Sequence, residues 1–150
     1  MSAIRKFKSI GHRIQKIYEI ENKKFYDDSK ATNIDSTIKA INSLQEETIL
    51  LLGGSDKGYS YDKIFDSLSK NIVEIIGFGK VSNKILKSAK KFDYNVKTFK
   101  TLKEATIYAC NKLKPYQNLL LSPASASFDE FKNYKDRGEK FLKYIKDFYE

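Results

Sequence analysis

Short apolar runs alternate with helical patterns along most of this 150-residue chain. Residues 48–52, 72–78 and 119–121 are almost continuously apolar, which is typical of strands that are buried on both faces of a sheet. Between these runs, apolar residues recur at three- and four-residue spacing, as at Ile34 and Ile38, and this spacing indicates amphipathic helices. Strands and helices that alternate through short connections predict an α/β fold of Rossmann-like type, with a mainly parallel sheet and helices on both faces.

A β-hairpin is predicted at the N-terminal end, before the alternation begins. Residues 14–20 and 25–27 resemble strands, and the polar residues 21–24 between them are suited to a turn. Asn33, just before the first helical pattern, is a candidate N-cap. The hairpin would therefore lead directly into the first strand–helix unit.

Two capping-box sequences predict the starts of later helices. Thr101 is followed at the third position by Glu104, and Ser127 is followed in the same way by Glu130. In this spacing the two side chains satisfy free N–H groups at a helix N-terminus. The second predicted helix runs to the end of the chain, and a break near Gly138 is left open.

Composition limits the classes of protein that need to be considered. The chain is 41% hydrophobic, which at 150 residues allows one domain with a buried core. No apolar run approaches the roughly 18 residues of a membrane span, and no signal peptide is evident, so we expect a cytoplasmic protein with no membrane partner. Cys110, the single cysteine, falls on the apolar stripe of a predicted helix and is interpreted as a small buried hydrophobe. With one cysteine and one histidine, no metal site is predicted.

The net charge of +9 raises the question of nucleic-acid binding. The arginines are Arg5, Arg13 and Arg137, and the other cationic residues are lysines. Lysine lacks the planar guanidinium that forms two parallel hydrogen bonds to a base edge or a phosphate. We therefore interpret the charge as a solvated lysine-rich surface and expect no nucleic-acid partner. The same positive potential is expected to attract small anions such as nucleotides and carboxylates.

Three polar stretches follow predicted strands, at residues 25–33, 53–58 and 121–128. Ligands of parallel sheets bind at the carboxyl ends of the strands, so these stretches predict one functional edge. In the second stretch, paired glycines allow backbone N–H groups to approach an anion, and Lys57 adds an ammonium group.

Together these sequences resemble the C-terminal domain of the Mur ligase family, from about Ile4 to the end of the chain. The resemblance rests on four motifs that occur in the same order and at comparable spacing, a combination far more specific than any one of them. The motifs are His12-Arg13, Asp28-Ser29-Lys30-Ala31-Thr32-Asn33, Gly53-Gly54 with Asp56-Lys57-Gly58, and Leu120-Leu121-Ser122-Pro123-Ala124-Ser125-Ala126-Ser127-Phe128-Asp129 followed by Phe131-Lys132-Asn133 and Arg137-Gly138.

The resemblance implies ATP-driven amide formation. The most similar branch of the family adds D-glutamate to UDP-N-acetylmuramoyl-L-alanine in peptidoglycan synthesis, a cell-wall pathway tied to cell division and cell shape. Residues 12–150 would be the amino-acid-binding domain, which positions D-glutamate and closes over ATP, and residues 1–11 the remnant of an interdomain leader. No Gly-Lys-Thr or Gly-Lys-Ser phosphate loop occurs in the chain, so the Mg²⁺ ligands are expected in a central domain outside it. The chain alone is expected to be an inactive monomer without catalytic residues of its own.

The resemblance also implies roles for individual residues. Arg13 and Asp28 match positions on the ATP side of the site. The residues that match positions around D-glutamate are Lys30, Thr32, Lys57, Ser127, Phe128 and Tyr134. A dicarboxylate needs two anchors, and we expect Lys57 to supply a cation and a helix start near Ser127 to supply N–H donors.

Four positions depart from the family pattern. Asp27 stands where the family usually has asparagine, Gln15 where glutamate is common, Ser125 where cysteine is common, and Tyr134 where phenylalanine is common. The effects of Asp27 and Gln15 stay open, as do two other functions. The chain would alternatively be a free-standing module that binds nucleotides or acidic metabolites, or a basic nucleic-acid-binding protein. Salt-dependent binding to random duplex would favour the last of these, and the scarcity of arginine argues against it.

Overall fold

The computed structural model describes residues 14–150, so the predicted leader at residues 1–11 and the His12-Arg13 motif lie outside the described residues. The described chain forms six strands and five helices that alternate as predicted, after an N-terminal pair of strands. The strands are β1 (Gln15–Ile20), β2 (Lys23–Asp27), β3 (Thr48–Gly53), β4 (Ile72–Phe78), β5 (Lys97–Phe99) and β6 (Asn118–Leu121). The helices are α1 (Ile34–Ser43), α2 (Asp62–Asp66), α3 (Ser82–Lys91), α4 (Leu102–Lys112) and α5 (Tyr134–Tyr149).

All six strands belong to one sheet in the order β1–β2–β6–β3–β4–β5. The hairpin pair β1 and β2 is antiparallel, and every other pair is parallel, which confirms the predicted fold class. Leu120 of β6 pairs with Tyr26 of β2 on one side and with Leu50 of β3 on the other. The strands that precede the three polar stretches are therefore neighbours, and their carboxyl ends share one edge of the sheet.

The sheet is buried on both faces, which explains the continuous apolar runs. In β3, Ile49 and Leu51 face one core, which contains residues of α4 and α5. Leu50 and Leu52 face the other core, which contains residues of α1, α2 and α3. Successive side chains of a strand point to opposite faces, so a strand between two layers of helices needs apolar residues at every position.

The hairpin turn is shorter than the sequence predicted. Glu21 and Asn22 adopt left-handed backbone angles, with φ of 51° and 62°, and these two residues alone close the turn. Lys23 and Lys24, predicted as turn residues, are part of β2. Two-residue turns with positive φ match the twist of antiparallel strands, and asparagine tolerates this conformation.

Two of the three predicted helix starts are confirmed. The side chain of Asn33 accepts a hydrogen bond from the Ser36 amide at 2.9 Å and caps α1. Thr101 and Glu104 form a complete capping box at the start of α4. Each cap satisfies an N–H group that the first helical turn leaves without a partner.

The helix predicted to start at Ser127 begins later, and that prediction is wrong. α5 starts at Tyr134, where the Asn133 side chain accepts from the amide of Asp136 at 2.8 Å. The Glu130 carboxylate, predicted to close a box with Ser127, instead accepts from the amide of Leu102 at 3.1 Å and so caps α4. α5 then runs without a break through Gly138. None of the helices in residues 14–150 combines the length and apolarity that crossing a bilayer requires.

Candidate functional site

Three loops at the carboxyl edge of the sheet follow the neighbouring strands β2, β6 and β3: residues 28–33 after β2, residues 54–61 after β3, and residues 122–133 after β6. We call them the edge loops. The Lys57 ammonium, in the second edge loop, lies 3.3 Å from the carbonyl oxygen of Thr32 in the first. The hydroxyl of Tyr59 lies 2.9 Å from the same carbonyl and also contacts the carbonyl of Ala124 in the third loop. All three edge loops therefore meet around Thr32.

The Lys57 ammonium contacts a backbone carbonyl, whereas some other lysines of the described residues pair with carboxylates. Lys63 lies 2.9 Å from the Asp35 carboxylate, and Lys84 lies 2.7 Å from that of Asp56. Within residues 14–150, no carboxylate lies within ion-pair distance of Lys57 or of Lys30. Both side chains are exposed, so each leaves a positive charge at this edge for an external anion.

Lys30 shares an open cleft with Tyr134, at the junction between the hairpin and the start of α5. The volume of the cleft is about 510 Å³, which is enough for an amino acid. Asp27 and Gln15, which like Tyr134 depart from the family pattern, also line it. Four of the residues predicted to bind D-glutamate therefore form two pairs in the structure: Lys57 with Thr32, and Lys30 with Tyr134. The short segment from Lys30 to Thr32 joins the two pairs.

Ser127 and Phe128 lie in the third edge loop and not at a helix start. Ser127 is buried, and its carbonyl accepts from the amides of residues 130 and 131. Phe128 is 73% exposed. The helix N-terminus expected to anchor a carboxylate here is absent from the described chain at this position, because α5 begins at Tyr134. Ser127 instead stabilises the conformation of the third edge loop through these backbone hydrogen bonds.

The second and third edge loops are joined by direct hydrogen bonds. The Ser55 amide donates to the Ala126 carbonyl at 2.9 Å, and the Asp129 amide donates to the Ser55 hydroxyl at 2.8 Å. These bonds place the loop of Lys57 against the loop of Ser127. No hydrogen bond within residues 14–150 joins the Lys57 ammonium itself to Ser127.

Asp28 is buried beneath the first edge loop. Its carboxylate accepts from the Ser122 hydroxyl at 2.7 Å, and that hydroxyl also lies 3.0 Å from the hydroxyl of Thr37 on α1. This polar cluster ties the ends of β2 and β6 to α1. Arg13, the other residue predicted on the ATP side, lies outside the described residues.

Arg137 is the residue of this region to which the sequence assigned no role. It is the sole arginine of residues 14–150, lies on α5, and is fully buried. Burial lowers the pKa of its guanidinium to about 10, and the carboxylates of Asp129, Asp27 and Glu130 oppose that shift. The group is therefore charged at neutral pH. Two sequence signals concern it: arginine is scarce in this lysine-rich chain, and Arg137-Gly138 belongs to the motifs that carry the family resemblance.

The described residues do not form a metal centre. Within residues 14–150, no three histidine, cysteine, aspartate or glutamate side chains cluster closely enough to hold a metal ion. Cys110 is buried, as predicted, and burial raises the pKa of its thiol to about 12. A thiol that stays protonated is a poor nucleophile and a poor metal ligand.

Comparison with known sequences gives consistent matches to one family. A family model described as "Mur ligase, glutamate ligase domain" matches residues 12–125. A protein of Caldanaerobacter subterraneus named UDP-N-acetylmuramoylalanine--D-glutamate ligase is 40% identical over 149 residues, which cover 97% of this chain and 33% of that protein. A protein of Bacillus cereus with the same name is 35% identical over 145 residues, covering 96% of this chain and 32% of that protein. The chain thus spans about a third of the length of these relatives.

Comparison with solved structures supports the fold. A domain from a Haemophilus ducreyi protein, described as a putative UDP-N-acetylmuramate ligase of a diaminopimelate-containing peptide, superimposes with a TM-score of 0.60 at 14% identity, covering 87% of this chain and 98% of that one. A murein peptide ligase from Psychrobacter arcticus superimposes with a TM-score of 0.63 at 10% identity, covering 91% of this chain and 31% of that one. At such low identity the likeness concerns the arrangement of strands and helices alone.

Proposed function

Because the chain belongs to the Mur ligase family, as a glutamate ligase domain, we propose that it binds D-glutamate and positions its amino group for amide formation. The whole enzyme would join D-glutamate to UDP-N-acetylmuramoyl-L-alanine in peptidoglycan synthesis. The observation that carries this proposal is the exposed Lys57 ammonium, which lies at the meeting point of the edge loops and has a backbone carbonyl as its partner.

Charge supports a dicarboxylate as the ligand. Lys57 and Lys30 are two cations at the same edge, and neither has an acidic partner within residues 14–150. Hydrogen bonds between an ammonium and a carboxylate are shorter and about twice as strong as neutral ones. In this proposal Lys57 binds one carboxylate of D-glutamate, beside Thr32, and Lys30 binds the other in the cleft that Tyr134 lines.

The contribution to catalysis would be positioning. Once both carboxylates are fixed, the amino group is held in one place relative to the partner that it attacks. Holding two reactants in register removes much of the entropic barrier to a bimolecular step. Phe128, which is largely exposed beside the edge, would then contact the ligand or the part of the enzyme that closes over it.

ATP enters the proposal through the family, which is ATP-dependent. ATP supplies the phosphoryl group that activates the carboxylate of the UDP-linked substrate. In this proposal Arg13 and Asp28 lie on the ATP side of the site. The Asp28 carboxylate is fully buried and accepts from Ser122, so its proposed part is to fix the first edge loop. Within residues 14–150, no cluster of acidic side chains could hold Mg²⁺.

Ligand-observed NMR of D-glutamate with three proteins tests the proposal: the unchanged chain, Lys57→Met and Lys112→Met. Lys112 ends α4 at the opposite edge of the sheet and serves as a matched control for the loss of one positive charge. A hydrogen bond to a charged group contributes about 1.5–3 kcal/mol, so Lys57→Met should weaken D-glutamate binding by about tenfold or more. Lys112→Met should leave it unchanged. Equal affinity of the unchanged chain and Lys57→Met would refute the assignment.

A further inference from the structure

We propose that Arg137 is a positioning residue, whose guanidinium holds the three edge loops in the arrangement that D-glutamate binding requires. The part of this proposal that concerns D-glutamate rests on the proposed function, whereas the coupling of the loops does not. Three observations support it: the hydrogen bonds of the guanidinium, the close approach of Gly54, and the full burial of a cation whose acceptors lie in loops.

The guanidinium binds the backbone of two edge loops at once. Its Nη2 donates to the carbonyl of Ser29 at 2.7 Å, and its Nη1 donates to the carbonyl of Ser125 at 2.9 Å. Ser29 immediately precedes Lys30 in the first edge loop. Ser125 lies two residues before Ser127 in the third. One side chain therefore fixes the backbone next to predicted ligand residues of both loops.

The second edge loop packs against the same group. Gly54 has φ of +133°, and a Cβ built on it would lie 3.2 Å from Nη1 of Arg137 and 2.4 Å from the Ala126 carbonyl oxygen. Only glycine permits this conformation and this approach without a shift of its neighbours. Gly54 is three residues before Lys57, so this contact lies in the loop that carries the ammonium.

The chemistry of the site requires arginine and not another cation. The two carbonyls accept from different nitrogens, and the planar fork of a guanidinium can donate to both from one fixed side chain. A lysine would keep the charge but lack the planar fork. The carbonyl that it could not reach would then be buried without a donor.

Stability alone is a weak reason for this residue. Arg137 is fully buried, and its Nε has no hydrogen-bond partner within residues 14–150. Replacement of a complete buried ion pair by apolar side chains of similar volume is often neutral or stabilising, so a buried charge is weak evidence for a role in stability. A buried cation that donates to loops and not to the helices or strands therefore points to control of loop geometry.

The test compares Arg137→Lys with Phe141→Leu in amide hydrogen exchange, without ligand. Phe141 is buried on the same helix and packs in the core below the sheet, so its variant controls for a general loss of stability. In Arg137→Lys we expect exchange to accelerate by about tenfold in all three edge loops, at residues 30–32, 55–57 and 126–128. In Phe141→Leu, exchange in these loops should accelerate no more than the loss of global stability requires, and its pattern along the loops should match that of the unchanged chain. Faster exchange confined to α5 in Arg137→Lys would overturn the proposal.

A second arm adds D-glutamate and separates the two claims. Arg137→Lys should bind D-glutamate at least tenfold more weakly than Phe141→Leu does, and equal binding by the two variants would overturn the positioning role. If the unchanged chain binds no D-glutamate, the proposed function fails, and the exchange data still decide whether Arg137 couples the loops.

If Arg137→Lys does not fold, a measurement on the unchanged chain tests whether the Arg137 guanidinium is held in place by the edge loops. The side-chain ¹⁵N spectrum of arginine reports rotation of the guanidinium. Since Arg137 is the one arginine of residues 14–150, and it donates through both Nη atoms, its Nη protons should give separate, slowly exchanging signals. Averaged, rapidly exchanging signals from all arginines would overturn the proposal.

Discussion

Replacement of Gly138 by alanine tests how closely α5 approaches the end of β2. Inside a helix this substitution normally stabilises a protein by about 1 kcal/mol, because glycine loses more backbone entropy on folding. In this structure, a Cβ on Gly138 would lie 2.3 Å from Oδ2 of Asp27 and 3.1 Å from its Cγ. The carboxylate must therefore move before α5 can accept an alanine.

The cost of that movement follows from the hydrogen bonds of Asp27. Its Oδ1 accepts from the amide of Ser29 at 2.9 Å and from the Ser29 hydroxyl at 2.5 Å. A hydrogen bond to a charged group contributes about 1.5–3 kcal/mol, and the lower end applies to a carboxylate that is partly exposed. Loss of about one such bond outweighs the helical gain. We expect Gly138→Ala to lower the free energy of unfolding by about 1 kcal/mol, the difference between about 2 and about 1.

The effect of Gly138→Ala on the free energy of unfolding should change sign when the Asp27 carboxylate is removed. In an Asp27→Ala background the carboxylate is absent, and Gly138→Ala should raise the free energy of unfolding by about 1 kcal/mol. The coupling free energy between the two positions would then be about 2 kcal/mol. Urea unfolding of the four proteins, followed by far-UV circular dichroism, measures it. Equal stabilisation by Gly138→Ala in both backgrounds would refute the close approach.

Three further predictions concern single side chains. Glu130→Ala should lower the free energy of unfolding by about 1 kcal/mol, because the Glu130 carboxylate caps α4 at the amide of Leu102; an unchanged urea midpoint would contradict this. The Lys91 ammonium and hydroxyl donors lower the pKa of Asp62 to about 2, so its contribution to stability is present above the unfolded pKa near 3.8 and is lost as pH falls towards 2. The melting temperature of Asp62→Asn should accordingly depend less on pH in that window, and parallel curves would count against the ion pair. At neutral pH, Cys110 should react with a thiol reagent only as fast as the chain unfolds, since its thiol is buried and protonated; an immediate reaction would show that it is accessible.

The fold was predictable because burial on two faces marks the sequence strongly. Leu50 and Leu51 face opposite cores, so both must be apolar, and the resulting run distinguishes a central strand from an edge strand. The carboxyl ends of such strands necessarily share an edge, which is why the three polar stretches were correctly assigned to one region. The strand order that places β6 between β2 and β3 came from the structure, because pairing across the sheet leaves no periodic signal.

The start of α5 was not predictable from local sequence. Ser127 and Glu130 have the spacing of a capping box, and the same spacing at Thr101 forms a real one. Glu130 instead caps another helix, through a contact with Leu102 that is distant in sequence. A local rule identifies a side chain able to cap, and the tertiary fold decides which helix it caps.

The site was predicted in part. The sequence identified Lys57 as a cation of the carboxyl edge, but its approach to the carbonyl of Thr32 depends on loop conformations that residue spacing does not specify. Arg137 received no role because a buried arginine cannot be told from an exposed one by periodicity when it lies in the first turns of a helix. Its importance follows from two carbonyl contacts, at Ser29 and Ser125, that only the folded chain creates.

D-glutamate is proposed to bind at the carboxyl edge of the sheet. Titration of the ¹⁵N-labelled chain with D-glutamate, followed by amide chemical shifts, tests it most directly. We predict that the largest changes fall on Thr32, Lys57 and Tyr134, which the structure brings to that edge. The absence of any shift, or changes concentrated around Asn22 and Tyr116 at the opposite edge, would contradict it.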